Sequence, residues 1–438
     1  MAQIRVFPAT LLLLAALIVW PSAADEWPQW RGPNRDGVWA ETGIVDRFES
    51  PRIALKWRVP ISAGYSGPTV ANGRVYVTDR ITEPEEFERV HCFDWQSGEP
   101  IWSHRYECPY GKIGYKAGPR ASVLIEAERA YSLGAAGHLF CFDAADGTIR
   151  WSRDLASEYK IRMPIWGIAA SPVIEDDLLI VQIGGEGDAC VCALDKISGE
   201  ERWKALPDDA SYSAPIVIDQ AGRRVLVCFT ADRIVGLDPR SGRLYWEYPM
   251  PWEKWPIGIS TPVLHENLLL VSDSHQGSVL LKLATDGPTA EKVWHCRKDS
   301  VPKGGALHCL ISTPMIDGQH IYGADGRGIL RCLRLATGEQ LWDDKTAVPE
   351  NNWATIHLIR NGDHTWMFNE RGELIIARLT PDGFQELSRA RLLDPTTAQL
   401  RRRDGVTWSH PAFAYRHVFA RNDEELVCAD LSKEGVIE

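Results

Sequence analysis

The chain has 438 residues, 45% apolar and 24% charged, with a formal net charge of −11. Such a length can bury a large core without staples, and the net acidity argues against nucleic acid or an anionic membrane surface as partner. Its 18 tryptophans outnumber both its 12 tyrosines and its 11 phenylalanines, an excess that asks for a repeated structural role.

Residues 1–24 read as a cleaved secretory signal. Arg5 gives a basic start, Leu11 to Trp20 is apolar, and Ser22-Ala23-Ala24 suits cleavage. The apolar run is short for a membrane span, although an uncleaved anchor is the alternative. No cysteine near the cleavage site offers a lipid attachment point, and no second stretch reaches spanning length. The mature chain is expected to be soluble, monomeric and periplasmic or secreted, with no transmembrane span.

Residues 25–54 are expected to form a strap. Trp27-Pro28-Gln29-Trp30-Arg31-Gly32-Pro33-Asn34-Arg35-Asp36-Gly37 is rich in turn formers and carries two rings that need burial. From residue 55 to 438 one unit recurs. Trp57, Trp102, Trp151, Trp203, Trp246, Trp294 and Trp342 fall 43 to 52 residues apart, and the next mark falls at Leu387. Several of these tryptophans close the same spelling: Asp94-Gly98-Trp102, Asp143-Gly147-Trp151, Asp195-Gly199-Trp203 and Asp238-Gly242-Trp246. Arg334-Gly338-Trp342 keeps all but the acid. The Asp carboxylate can start a turn by bonding the backbone N–H groups ahead of it. The Gly supplies a positive φ that closes the hairpin. The Trp lands on the returning strand, where it can cover the seam to the next unit.

A second landmark is a small residue before proline: Gly67-Pro68, Ser171-Pro172, Ala214-Pro215, Thr261-Pro262 and Thr313-Pro314, with His410-Pro411 as the large-residue case and Ser122 and Thr355 in the units lacking Pro. It marks the innermost strand. A period of this length with several strands per unit defines an all-β, eight-bladed β-propeller of four-stranded antiparallel blades. The last unit, Trp408 to Asp430, lacks its terminal Trp, and Trp57 lacks its inner strands. The two chain ends are therefore expected to pair and close the ring, removing free sheet edges. Seven blades plus a hairpin is the alternative, with the blade around Gln385 the weakest.

The ten cysteines follow the repeat. Cys92, Cys141, Cys332 and Cys428 share one place with Ala193, Gly236 and Ala377, and only Leu281 breaks it, which marks a tight packing position. Cys296 and Cys309, flanking one inter-blade loop, are the candidate disulfide. No haem-attachment or zinc spacing occurs. Arg401-Arg402-Arg403 reads as a solvated loop, and Gly184-Gly185-Glu186-Gly187 as a hairpin turn between strands, not a phosphate loop.

The repeat, as in Asp195-Lys196-Ile197-Ser198-Gly199-Glu200-Glu201-Arg202-Trp203, resembles the PQQ-like repeat of quinoprotein alcohol dehydrogenases, over nearly the whole mature chain. Trp27 to Pro33 is similar to a stretch in exported bacterial PQQ-binding-like propeller proteins. The same fold serves the assembly factor BamB, which is a scaffold. The resemblance implies either a non-catalytic envelope module with a protein partner or a PQQ-dependent dehydrogenase. The dehydrogenases pair a Cys-Cys ring with a Ca²⁺ site of Glu and Asn and a catalytic Asp. This chain has no Cys-Cys dipeptide, and Cys190-Val191-Cys192 is interrupted. PQQ with Ca²⁺ thus has no recognisable seat; no cofactor, catalytic residue or metal ligand is assigned, and the scaffold reading is preferred.

Residues just ahead of each inner strand should line one channel mouth. Tyr65, Arg120, Trp166, Tyr212, Trp255, His308, Trp353, Trp408 and His410 hold these places. They can form a ligand pocket, with the rings stacking and Arg120 and the histidines orienting, or they can plug the axis, which is the simpler reading. His308, Cys309 and His410 match no metal motif. Ser66, Ser213, Ser260, Ser312 and Ser409 recur with the repeat and are expected to be structural.

Overall fold

The computed structural model describes residues 26–252, 255–297, 307–401 and 404–433. Residues 1–24, read above as a signal, and Arg402-Arg403 lie outside them. The described chain folds into eight four-stranded antiparallel sheets. Blades 1 to 7 occupy 69–107, 124–154, 173–205, 216–249, 263–296, 315–344 and 356–391. Blade 8 combines 412–430 with the early strand Trp57–Pro60, which pairs with Glu425 to Cys428. Ring closure by the two chain ends holds, and the seven-blade alternative falls. The single helix among the described residues is Leu155–Tyr159, capped by Asp154. No helix there is long and apolar enough to cross a membrane.

Six inner strands begin at the residue after the landmark proline, as at Thr69, Val173 and Ala412. Proline has no N–H to leave unpaired at that start and sets the entry φ. Two of the recurrent hydroxyls beside it join neighbouring blades. Ser213 Oγ donates to the Ser260 carbonyl (2.8 Å), and Ser312 Oγ accepts from Ile356 N–H (3.1 Å), each stitching one blade to the next.

The Asp-Gly-Trp unit works across seams. Asp94 Oδ1 accepts from the N–H groups of Gln96 and Ser97, and Asp195 Oδ1 from those of Ile197 and Ser198, fixing each turn. Gly147 has φ +74°, and a Cβ there would stand 2.6 Å from the Trp102 ring of the preceding blade. The indole N–H then donates to the carbonyl just past the Asp position: Trp57 to Trp95 (2.8 Å), Trp102 to Ala144 (3.1 Å), Trp151 to Lys196 (3.3 Å), Trp203 to Pro239 (2.9 Å), Trp294 to Leu335 (2.8 Å) and Trp342 to Thr380 (2.8 Å). Each seam therefore buries a ring and satisfies its polar atom at once.

Two seams depart from this. Trp246 Nε1 donates to Gln220 Oε1 (3.0 Å), and Gln220 Nε2 donates onward to Thr289 O in the blade 5 turn (2.6 Å), so a side-chain amide relays the contact. Blade 7 has no tryptophan on its outer strand, Gly383–Arg391. Register places Ser388, not Leu387, opposite Ile376, so the expected mark is off by one. The same slip applies to blade 5, where Leu280, not Leu281, faces Trp294. The hairpin joining the third and outer strands is longer in these two blades: Leu280 and Trp294 stand 14 positions apart and Ile376 and Ser388 12, against 10 for Cys92 and Trp102. At blade 7 the strap replaces the missing ring. Ser388 Oγ accepts from Phe48 N–H (2.9 Å), and the Leu431 carbonyl, which follows Asp430, accepts from Val45 N–H (2.9 Å). Trp39 and Phe48 pack on Trp366.

All ten cysteines are buried free thiols, Cys296 and Cys309 included, so the proposed bridge is absent. Burial raises the thiol of Cys309 to about 12, which suits a small apolar filler.

Replacing Gly147 or Gly222 with alanine separates φ strain from ring contact. Both sit near φ +70°, but a Cβ at Gly222 meets nothing within 4 Å. Gly222→Ala is expected to cost about 1 kcal/mol and Gly147→Ala about 1–3 kcal/mol more in urea denaturation, because only the second drives into Trp102.

Candidate functional site

Within each blade, the loop entering the inner strand and the turn between the second and third strands share one face. The Asp-Gly turns lie on the other. The first face carries a cavity of about 1120 Å³ on the propeller axis. Arg120, Trp166, Tyr212, Trp255, His308, Trp353, Trp408 and His410 all line it, as does Tyr65. The rings stand around the space and do not fill it, so they do not plug the axis. The axis is stopped lower down by the strap. Trp30 reaches the cavity floor, where its indole N–H donates to Thr261 Oγ1 (2.8 Å) and its ring meets the edge of His410 at 4.5 Å. Arg35, buried behind it, donates to the carbonyls of Ser171 (2.9 Å) and Pro172 (2.6 Å). Burial lowers its guanidinium to about 9.

One wall is an aromatic arc. Tyr65 and Trp408 are 6.5 Å apart at 32°, Tyr115 and Trp408 6.1 Å at 42°, and Trp166 and Tyr212 5.1 Å at 30°. Tyr115 links the two halves of the arc through an edge contact with Trp166 at 5.5 Å. Neighbouring rings are splayed, so the wall is curved. Tyr115 and Trp353 both hold positive φ, +52° and +63°, a rare conformation for a bulky residue. Arg120 fastens the Tyr115 loop by donating to the carbonyls of Gly114 (2.8 Å), Tyr115 (2.6 Å) and Gly118. It spends its donors on backbone and holds the wall in place. Trp255, 53% exposed, stands at the rim.

The other wall is polar. Asp325 Oδ2 pairs with Arg331 Nη2 (2.9 Å), and Arg327 with Glu350 (2.7 Å). Ser274 Oγ lies 3.2 Å from His275 Nδ1. His308 Nδ1 donates to the Ser274 carbonyl (3.2 Å), while its buried Nε2 has no hydrogen-bond partner. Burial lowers the His308 pKa, so the ring is neutral. At the base, His410 Nε2 accepts from Ser122 Oγ (2.8 Å) and its Nδ1 donates to the Pro411 carbonyl (3.2 Å). His357 Nε2 donates to the Trp408 carbonyl (2.8 Å). Sequence reasoning missed Trp30, Tyr115, Ser274, His275, Asp325, Arg327, Arg331 and His357. Most of the polar ones lie in the second-to-third-strand turns of blades 5 and 6.

The PQQ and Ca²⁺ pair can be tested against this lining. Calcium takes about six to eight oxygen ligands, with carboxylates prominent. Among the described lining residues Asp325 is the only carboxylate, already held by Arg331 and by the N–H groups of Arg327 (2.8 Å) and Ile329 (3.1 Å). No group of three or more His, Cys, Asp or Glu side chains among the described residues could hold a metal ion. The donor set does not fit the ion.

These features define a closed eight-bladed propeller of the PQQ-like type, with a floored funnel at one mouth. The chain belongs to the family described as outer membrane protein assembly factor BamB, whose model matches residues 86–254 and 252–432. No curated protein matches it. Among solved structures it is similar to BamB from Moraxella catarrhalis, with 16% identity over 86% of this chain and 99% of that one, TM-score 0.60. It is also similar to a europium-containing methanol dehydrogenase (13% identity, 91% and 89% coverage, TM-score 0.66). The quinohemoprotein alcohol dehydrogenase from Comamonas testosteroni gives 13% identity, 95% and 82% coverage, and TM-score 0.65. At these identities the neighbours share the fold.

Burial drives both floor histidines below their ordinary 6.5, His357 to about 4 and His410 to about 3. The folded state refuses protons that the unfolded chain accepts, so stability falls as pH drops from 6.5 towards about 4. Thermal denaturation across this range is expected to show the loss, and the double variant His357→Gln/His410→Gln a shallower one.

Proposed function

We propose that this protein is an exported, monomeric, non-catalytic binding propeller of the cell envelope. Its mouth face would be the working surface, with the outer loops meeting an envelope protein. The observation that carries this reading is the chemistry of the funnel: a curved aromatic wall faces polar groups already paired or neutral, around about 1120 Å³ of open space. A reaction centre for proton or hydride transfer calls for a titratable group with its pKa brought near the working pH. Here three of the four lining histidines, His308, His357 and His410, are pushed down into the neutral form, and Asp325 is locked to Arg331. Such a lining suits recognition. The BamB family match and the apolar N-terminal segment support placement in the envelope.

Reconstitution with PQQ and Ca²⁺, followed by absorbance and a dye-linked dehydrogenase assay, tests the reading. Neither stoichiometric uptake nor turnover is expected; quinone binding with turnover would overturn it. Intact-mass measurement of the exported protein is expected to place its first residue at Asp25. A species retaining residues 1–24 would show an anchored form instead.

A further inference from the structure

We propose that the funnel binds the terminal rings of a neutral glycan chain. This rests on the reading of the mouth as a binding site and names its ligand class. Four observations converge.

The aromatic wall is curved. Adjacent rings turn by 30–42° within each half, Trp166 with Tyr212 and Tyr115 with Trp408 and Tyr65, and the halves meet edge to face at Tyr115 and Trp166. A flat cofactor wants parallel faces above and below it. A splayed arc instead offers successive faces to successive puckered rings, whose C–H surfaces are apolar.

The facing wall is balanced in charge. Arg331 is paired with Asp325 and Arg327 with Glu350. On the aromatic side Arg120 keeps its charge but gives its donors to three backbone carbonyls. A strongly anionic ligand would need uncommitted cations. What remains suits hydroxyl groups, each of which wants a donor and an acceptor. The Asp325–Arg331 pair presents both side by side, and Ser274 and His275 present both again.

One acceptor beside the cavity lacks a partner. His308 lines the cavity, and its Nε2, just beneath the surface, has no hydrogen bond among the described residues. Its Nδ1 faces the Ser274 carbonyl, so Nδ1 carries the proton and Nε2 is an acceptor. Leaving a buried acceptor unsatisfied costs about 1–3 kcal/mol. A small turn of the ring would bring it to a ligand hydroxyl.

The cavity has a floor. Trp30, held by Thr261 and His410, stops the axis, so a chain cannot thread through and only its end can enter. The volume exceeds the range of about 300–1,000 Å³ usual for small-molecule sites, which leaves room for more than one sugar ring.

The test is a glycan array of neutral and acidic oligosaccharides probed with the mature chain, followed by tryptophan-fluorescence titration of the glycans retained. Neutral chains are expected to bind. Trp353→Ala and Trp255→Ala should each weaken binding about tenfold or more, from the lost ring contact. Ser274→Ala, a smaller change less prone to disturb folding, should weaken it as well. Ile197→Ser, on an exposed turn of the opposite face, should leave it unchanged. No binding anywhere on the array overturns the proposal, as does a preference for acidic glycans or binding that none of the three funnel variants alters. Mass spectrometry of the recovered glycan separates this from the broader reading. An intact glycan supports both. A cleaved or oxidised one retains the glycan site and removes the non-catalytic assignment. Absence of binding together with a negative quinone test removes the glycan alone.

Discussion

The propeller depends on one contact repeated around its circumference: an indole from one blade laid over the turn glycine of the next, with its N–H bonded to that turn's carbonyl. Beyond the connecting loops, no disulfide or metal site ties one blade to the next among the described residues. A large ring covers apolar area that each sheet alone would leave wet, and its polar atom would be costly in that seam without an acceptor. The glycine is required twice, for its positive φ and because a Cβ would strike the ring. The acid at the head of the turn keeps the carbonyl aimed outward. The same triad explains why small residues such as Cys92, Cys141 and Gly236 stand opposite the tryptophans. At Gly236 the Trp246 ring lies so close that a Cβ would stand 2.2 Å away.

The exceptions are as informative as the rule. At blade 4 to blade 5 the turn no longer offers its carbonyl to Trp246, and Gln220 bridges the gap with both ends of its amide. At blade 7 to blade 8 the ring is gone, and strap backbone takes over its bond through Val45. The strap therefore has two tasks. Near its start it crosses the channel and floors the funnel with Trp30, anchored by Arg35. Near its end it repairs the one seam whose outer strand carries no tryptophan. Its hydrogen bonds reach Val70, Ile125, Ser171, Arg360, Arg391 and Leu431, spread over blades 1, 2, 3, 7 and 8.

Much of this was legible in the sequence, because turn chemistry is local. Asp143, Gly147 and Trp151 announce their geometry from spacing alone, and Trp57 announces ring closure by lacking its own inner strands. Counting failed only where the hairpin into the outer strand is longer than in the other blades, at Leu280 and Ser388. The funnel rings could be placed because they precede the proline landmark. Ser274, His275 and Asp325 belong to turns that blade topology sends to the same face, a deduction open to sequence reasoning. Trp30 was not readable in that way. Its place depends on where the strap crosses the axis, and no periodicity encodes that path.

The strand Trp57–Pro60 finds its partner only at Glu425–Cys428, at the far end of the chain. Residues made or translocated first therefore wait for residues made almost last. Blades 1 to 7 are hairpin-built and can form as they emerge, but blade 8 cannot. Until then the flank of blade 1 lies bare, and the strap lacks its anchor at Leu431. Completion of the ring is thus an event in time, set by delivery of the final strand, and the incomplete form exposes open sheet edges prone to pair with other chains. That intermediate needs shielding until the closing strand arrives.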